Sequence, residues 1–156
     1  MPRDDSPMTE LSLRARALRL LARREHARAE LARKLAAHAE SAAEVDAVLD
    51  DLAARCLLSD ARYAETRAHA RSARFGDARL TQELRAVGVS DELVDSALAG
   101  AGDELARAKE VWRRKYGGVG VPADAAGRAR QMNFLARRGF SGETIRHILR
   151  GGHEDD

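Results

Sequence analysis

Proline is nearly missing from this 156-residue chain: Pro2, Pro7 and Pro122 are the only three, so residues 8 to 121 hold no outright helix breaker. Aromatic residues amount to 4% and β-branched residues are few, which leaves little from which to build a sheet. Cys56 is the single cysteine, so it has no partner for an internal disulfide and belongs to no metal-ligand set of the usual spacing. No apolar run approaches the roughly 20 residues that a membrane-spanning helix requires, and the N-terminus has no signal-peptide core. The expectation is a soluble, cytoplasmic chain with no membrane partner. Lysine is scarce too: Lys34, Lys109 and Lys115 are the only lysines among 27 basic residues. The other cations are arginines, whose planar forks pair with carboxylates and phosphates through two bonds at once.

What is abundant is Ala, Leu, Arg and Glu, all good helix formers, and they point to an all-α fold. A repeat arranges the helices. Leu84 to Leu98 reads LRAVGVSDELVDSAL, Leu135 to Leu149 reads LARRGFSGETIRHIL, and a more worn copy, Leu35 to Leu49, reads LAAHAESAAEVDAVL. Each copy opens and closes on Leu, carries a Ser six residues in (Ser41, Ser90, Ser141), and a β-branched residue four later (Val45, Val94, Ile145). Recurrence at about fifty residues marks a repeat architecture in which each unit packs mainly on its neighbours. The expected organisation is three tandem three-helix repeats, residues 11–58, 59–101 and 102–150, forming an elongated array that can curve. A flexible N-terminal tail, 1–10, and a flexible acidic tail, 151–156, are expected to flank them.

In the first repeat, Leu13, Ala17, Leu18, Leu20 and Leu21 mark an amphipathic helix, with Ser6 or Thr9 available as its start. Residues Glu25 to Ala27 break it, and Glu30, Leu31 and Leu35 mark a second helix that runs to about His38. Ser41 and Glu44 have capping-box spacing, ahead of an apolar stripe of Val45, Val48, Leu49 and Leu52. In the second repeat, Ser59 and Asp60 start a helix extending to about Phe75, and Gly76–Asp77 resets the chain. A short helix then carries Leu80, Leu84 and Val87, and Gly88 suits a left-handed C-terminal cap before Ser90 starts the third helix. The third repeat has helices over about 103–116 and 124–138 and a last one from Ser141. The glycine-rich stretch 117–120 lacks the preceding strand and the following Lys-Ser/Thr of a phosphate loop and is read as a connector.

Net charge is only +2, but it is segregated. Residues 14–34 hold eight basic and two acidic side chains, and residues 40–60 hold one basic and six acidic. Residues 61–90 come to +3, 91–106 to −5 and 107–150 to +8. The first two helices of each repeat are therefore basic, and the third is acidic in repeats one and two. Much of this charge is i,i+4 pairing and solvated helix surface. An imbalance that recurs with the repeat nevertheless suits an acidic protein partner, a nucleic-acid backbone, or a filament carrying both.

Chemistry has little to stand on. His26, His38, His69, His147 and His153 are scattered, Cys56 has no base beside it and reads as a small core or cap residue, and no serine lies in a nucleophile elbow. No enzyme activity, catalytic residue, metal or cofactor is expected. Tyr63, Phe75, Trp112 and Tyr116 fall on the first helices of repeats two and three, and Arg74–Phe75–Gly76 matches Lys115–Tyr116–Gly117 in place. Such rings serve foremost as inter-repeat core, with the glycine as helix cap. Interleaved with Arg67, Arg71, Arg113 and Arg114, they also leave room for stacking on nucleic-acid bases.

Three stretches together resemble the RecX regulatory proteins: ALRLLARREHARAELARKL (Ala17 to Leu35), LLSDARYAETRAHARSARFGDARLTQELRAVGV (Leu57 to Val89) and FLARRGFSGETIRHIL (Phe134 to Leu149). They match that family's start, central signature and end, and the resemblance covers about residues 13 to 150. It implies tandem three-helix repeats and a regulator of the RecA recombinase, working in recombination, DNA repair and the SOS response. The implied mechanism is binding in the groove of the RecA–single-stranded DNA filament, which is capped or destabilised so that ATP hydrolysis and strand exchange are inhibited. The absence of heptads argues against a coiled-coil dimer, and a monomer is expected. The family brings no catalytic residues to carry over. Basic positions Arg62, Arg67, Arg71, Arg74, Arg79 and Arg85, with Arg113, Arg114, Lys115, Arg137 and Arg138 of the third repeat, are the candidates for contact with recombinase or DNA. The chain departs from the family pattern at three places. Ala27 stands where a Ser often caps the second helix, at a cost of roughly 1 kcal/mol; Cys56 stands where a Gly commonly closes the repeat; and Ala39 replaces the glycine found at Gly88 and Gly139. The competing reading is a stand-alone helical DNA-binding protein with weak direct affinity for DNA. Against it, the third helix is acidic in repeats one and two, and an acidic helix does not enter a groove between phosphates.

Overall fold

A computed structural model of the chain describes residues 11–150. Among them the regular structure is helical throughout: α1 (Leu13–Arg23), α2 (Arg28–Ala36), α3 (Ala42–Ala54), α4 (Asp60–Arg71), α5 (Asp77–Ala86), α6 (Asp91–Gly100), α7 (Glu104–Tyr116), α8 (Ala125–Arg137) and α9 (Gly142–Arg150). Ser12 caps α1, its Oγ accepting the Ala15 N–H at 3.1 Å. The alternative starts at Ser6 and Thr9, and both tails, lie outside the described residues.

The fifteen-residue unit is the end of each repeat's second helix, a turn, and the third helix. Its opening Leu35, Leu84 and Leu135 are at most 1% exposed, and Val45, Val94 and Ile145 at most 4%; each such burial contributes roughly 1.5–3 kcal/mol. Its serines are N-caps: Oγ of Ser41, Ser90 and Ser141 accepts the N–H of Glu44, Leu93 and Thr144 at 3.2, 3.4 and 3.1 Å. Glu44 also reaches back, but to the N–H of Glu40 at 2.9 Å rather than that of Ser41, so the expected box closes one residue earlier. Gly88 and Gly139, at φ 84° and 89°, complete Schellman turns. In these, the N–H of Val89 and of Phe140 bonds the carbonyls of Leu84 and Leu135 at 3.1 and 3.2 Å. The first repeat, with Ala39 there, turns through bonds that span three residues, His38 N–H to the Leu35 carbonyl at 2.9 Å and Ala39 N–H to that of Ala36 at 3.3 Å.

The described residues form two compact units, one ending at Tyr63 and the other starting at Ala64. In the first, α1, α2 and α3 enclose Leu13, Ala17, Leu31, Leu35, Val45, Leu49, Leu52 and Leu58. Cys56 has no place in that core; it is exposed and takes the left-handed conformation, φ 61°, that closes α3. Ala27 gives α2 no side-chain cap. Asp60, the first residue of α4, does so instead, its carboxylate accepting the Arg28 N–H at 2.6 Å. The same device recurs in the second unit. There Glu104, the first residue of α7, accepts the N–H of Asp77 at the start of α5 at 3.0 Å. The residue before each acid, Ser59 or Asp103, caps its own helix. The opening of one repeat's first helix thus satisfies an orphan amide on the preceding repeat's second helix. α8, which starts at the third repeat's own Asp124, is capped by that side chain at 2.9 Å.

In the second unit α5 packs on α6, while α7 and α8 both pack on α9. α4 stops at Arg71, short of the expected Phe75. Arg107 of α7 accounts for the stop: its guanidinium donates to the carbonyls of Ser72 and Phe75 at 3.0 and 2.8 Å and pairs with Asp77. Gly76, expected to cap that helix from behind, is instead the N-cap of α5 and a point of close backbone approach. Its N–H donates to the Arg138 carbonyl at 2.8 Å, and the Ala78 N–H to that of Gly139 at 3.2 Å. A Cβ on Gly76 would strike the Gly139 backbone, and one on Gly139 would strike Arg79. Corner α4–α5 is thereby locked onto corner α8–α9. In the glycine-rich connector the N–H groups of Val119 and Gly120 are taken by the Tyr116 carbonyl at 2.9 and 2.8 Å. Gln131, 2% exposed, donates to the Gly120 carbonyl and accepts from the Trp112 indole, each within 2.9 Å.

Candidate functional site

Six of the eleven candidate cations face carboxylates. Arg62 pairs with Glu25, Arg71 and Arg79 share Glu83, Arg85 meets Asp91, and Arg113 and Arg114 share Glu110. The hydrogen bond it donates to Glu25 raises the Arg62 guanidinium further, and that from Arg113 holds the Glu110 carboxyl below its usual range. These groups stay charged but already occupied. Arg67, Arg74, Lys115, Arg137 and Arg138 have no carboxylate partner among the described residues. Arg67 stands exposed on α4 and lines neither groove described next.

The other four converge. The last turn of α7 brings Lys115 and Tyr116, α8 brings Phe134 and Arg137 with Arg138 at its C-cap, and the locked corner brings Phe75 and Arg79. Together they line a groove of about 650 Å³ with no acidic side chain on its walls. A neighbouring hollow of about 370 Å³ shares Lys115 and Arg138 and adds Arg74 and Arg114. The cations tolerate one another because rings lie beneath them. Arg71 and Arg79 sit 4.4 Å from the Phe75 centroid, on a ring half-buried at the corner. Lys115 and Arg138 sit 4.3 and 5.2 Å from that of Phe134, against which Tyr116 packs edge-on at 5.5 Å. Such contacts contribute about 0.5–2 kcal/mol each. A concave, low-dielectric wall carrying one sign of charge concentrates its field on an anion. No nucleophile or acid–base pair lines it, so binding is the chemistry it offers.

Sequence reasoning missed Arg130, Asn133 and Phe134 as members of this groove. The signal was present: Arg130, Phe134 and Arg138 follow at i, i+4 and i+8 on one helix face, a basic–aromatic–basic stripe. Of the rings that were singled out, Tyr63 is buried and Trp112 is tied to Gln131, whereas Phe75 and Tyr116 border the groove. The first unit has a smaller basic hollow of about 320 Å³, lined by Arg16, Arg19, Lys34 and His38. Among the described residues no group of His, Cys, Asp or Glu could hold a metal ion, and no helix is long and apolar enough to cross a membrane.

Residues 14–52, 59–98 and 102–149 match, in that order, the first, second and third three-helix domains of RecX. The chain belongs to the RecX family. The Regulatory protein RecX of Leptothrix cholodnii is 53% identical over 149 residues, covering 94% of this chain and 94% of that protein. That of Chromobacterium violaceum is 50% identical over 145 residues, covering 93% of each. The crystal structure of RecX from Lactobacillus salivarius shares the fold at a TM-score of 0.75 and 19% identity, covering 89% of this chain and 93% of that one. The groove of this RecX-family chain lies on helices of the second and third of those domains.

Proposed function

We propose that this chain regulates the RecA recombinase by binding the RecA–single-stranded DNA filament, capping or destabilising it, and so restraining ATP hydrolysis, strand exchange, recombination and repair. It acts as a cytoplasmic monomer built of repeats 11–58, 59–101 and 102–150. The observation that carries this reading is the succession of all three RecX domains over nearly the whole chain. A groove with binding groups and no reactive ones supports a regulator that works by contact. Of the candidate contacts, Arg74, Lys115, Arg137 and Arg138 are the strongest because they line the grooves and no carboxylate among the described residues competes for them. Arg62, Arg85, Arg113 and Arg114 would first have to exchange a partner.

The test is ATP hydrolysis by the recombinase on single-stranded DNA, with this protein added well below one per recombinase monomer. Inhibition at low ratio supports action on filament ends. A second reading, a stand-alone DNA-binding protein that competes for DNA, is favoured by one feature: α9, unlike α3 and α6, carries Arg146 and Arg150. If inhibition requires enough protein to coat the DNA, and excess DNA relieves it, that reading replaces the first.

A further inference from the structure

We infer that the α7–α8 groove is a binding site for the backbone of single-stranded nucleic acid, with phosphates taken by Lys115, Arg130 and Arg137 at the rim and a base laid on the guanidinium plane of Arg79. The inference assigns a DNA-strand contact within the filament-binding reading above and rests on it only for biological setting. Lys115, Arg130 and Arg137 are exposed, line one groove, and have no carboxylate partner among the described residues. Arg79 differs from them. Its Cζ lies over the Phe75 ring at 4.4 Å from the centroid, Nη1 donates to the Arg137 carbonyl at 3.3 Å and Nε to Glu83 at 3.5 Å, and the side chain is still 42% exposed. It is a flat cation held in place yet open to solvent, and a base stacks on such a plane as it does on a ring. The ring faces of Phe75 and Phe134 themselves are covered by cations. An acidic peptide would use the rim charges but offers Arg79 a plane only where it happens to carry an aromatic side chain; a nucleic-acid strand supplies an anion and a plane in every unit. Duplex DNA keeps its bases stacked inward and leaves that plane unused. A volume of about 650 Å³ lies in the range of about 300–1,000 Å³ that takes a ligand of one or two nucleotide units.

The test uses the full chain and a fluorescein-labelled oligothymidylate of about twenty nucleotides, read by fluorescence anisotropy from 50 to 200 mM salt with no recombinase present. Arg130→Gln with Arg137→Gln should weaken binding about tenfold near 0.1 M salt and flatten the log–log salt slope by about 1.4, two phosphates at about 0.7 each. Arg79→Lys, which keeps the charge and loses the plane, should weaken binding a few-fold with the slope unchanged. Arg33→Gln, an exposed cation on α2, should change neither, and circular dichroism should show all variants equally helical. Binding unaltered by the double variant, or weakened as much by Arg33→Gln, overturns the site. Equal competition by polyglutamate at matched charge overturns nucleic acid as its ligand in favour of an acidic protein surface. With no recombinase in the assay, failure here leaves the ATPase test of filament regulation standing, and failure there leaves this one.

Discussion

Cys56 shows how a single residue can sit against its own backbone preference. It holds φ 61° to close α3, and the equivalent position after α6 is Gly102 at φ 89°. A non-glycine residue in that conformation is strained by about 1 kcal/mol or more. Cys56→Gly should therefore raise stability by roughly 0.5–1 kcal/mol, the gain in native strain being partly offset by the larger freedom of glycine in the unfolded chain. An unchanged or lowered urea midpoint would show that the turn imposes no strain. His26 is strained differently, by burial. It is 1% exposed, its Nδ1–H donates to the Arg24 carbonyl at 3.0 Å, and its Nε2 accepts from Lys34 at 3.1 Å. Burial pushes its pKa below the ordinary value, against the hydrogen bond to the Arg24 carbonyl, and the charges of Arg24 and Lys34 add to the lowering. The unfolded chain then binds a proton near pH 6.5 that the native one refuses, so stability rises with pH across that window and is lost as pH falls through it. The urea midpoint should drop between pH 7.5 and pH 5.5, and His26→Gln, which can both donate to Arg24 and accept from Lys34, should flatten the dependence.

Among the helices, caps carried across repeats decide stability where the local sequence offers none. Asp60 stands 2.6 Å from the Arg28 N–H and also places a negative charge at the positive end of α2. Asp60→Ala should cost about 1–2 kcal/mol, at the upper end for a lost cap because the amide is partly buried. Ala27→Ser in that background should recover part of it, since a serine there caps α2 locally; no recovery would mean that α2 is positioned by more than its amides. Cap serines at 41, 90 and 141, the leucine and β-branched core positions, and the glycine turns at 88 and 139 were all legible in the sequence, because each is a local rule obeyed at fixed spacing. The role of Asp60 and Glu104 was not: each reads as an ordinary helix opener, and its partner lies 32 or 27 residues away. Gly76 was misread for the same reason. Its neighbours in sequence suggested a cap, whereas its constraint comes from Gly139 on another corner. Gly76→Ala should cost about 1–3 kcal/mol through overpacking and spread the walls of the groove, so thermal unfolding and oligonucleotide affinity should fall together.

Across the whole chain, the alternation of basic and acidic stretches is largely internal accounting between neighbouring helices, as Arg14 with Asp51 and Arg28 with Asp50 show in the first repeat. The third repeat breaks the pattern: α9 brings one acid, Glu143, against Arg146 and Arg150, so the cations of α7 and α8 lack a carboxylate ridge to meet. Surplus charge is thus concentrated late in the chain even though net charge is only +2. This changes which reversal is informative. Arg71 is committed to Glu83 and to the Phe75 ring, so reversing it would damage the corner along with any contact. Arg74 and Lys115 have no carboxylate partner among the described residues and border the same hollow. Arg74→Glu with Lys115→Glu should raise the concentration for half-inhibition of the recombinase ATPase about tenfold or more. Each exposed contact is worth up to about 1 kcal/mol, reversal adds repulsion, and 1.4 kcal/mol is a factor of ten. Arg14→Glu with Arg28→Glu serves as the counterpart: it should lower the melting temperature through lost pairing with Asp51 and Asp50 and leave inhibition within about twofold. The reverse outcome, inhibition kept with Arg74→Glu and Lys115→Glu and lost with Arg14→Glu and Arg28→Glu, would move the partner-binding face to α1 and α2 and remove the α7–α8 groove from the regulatory contact.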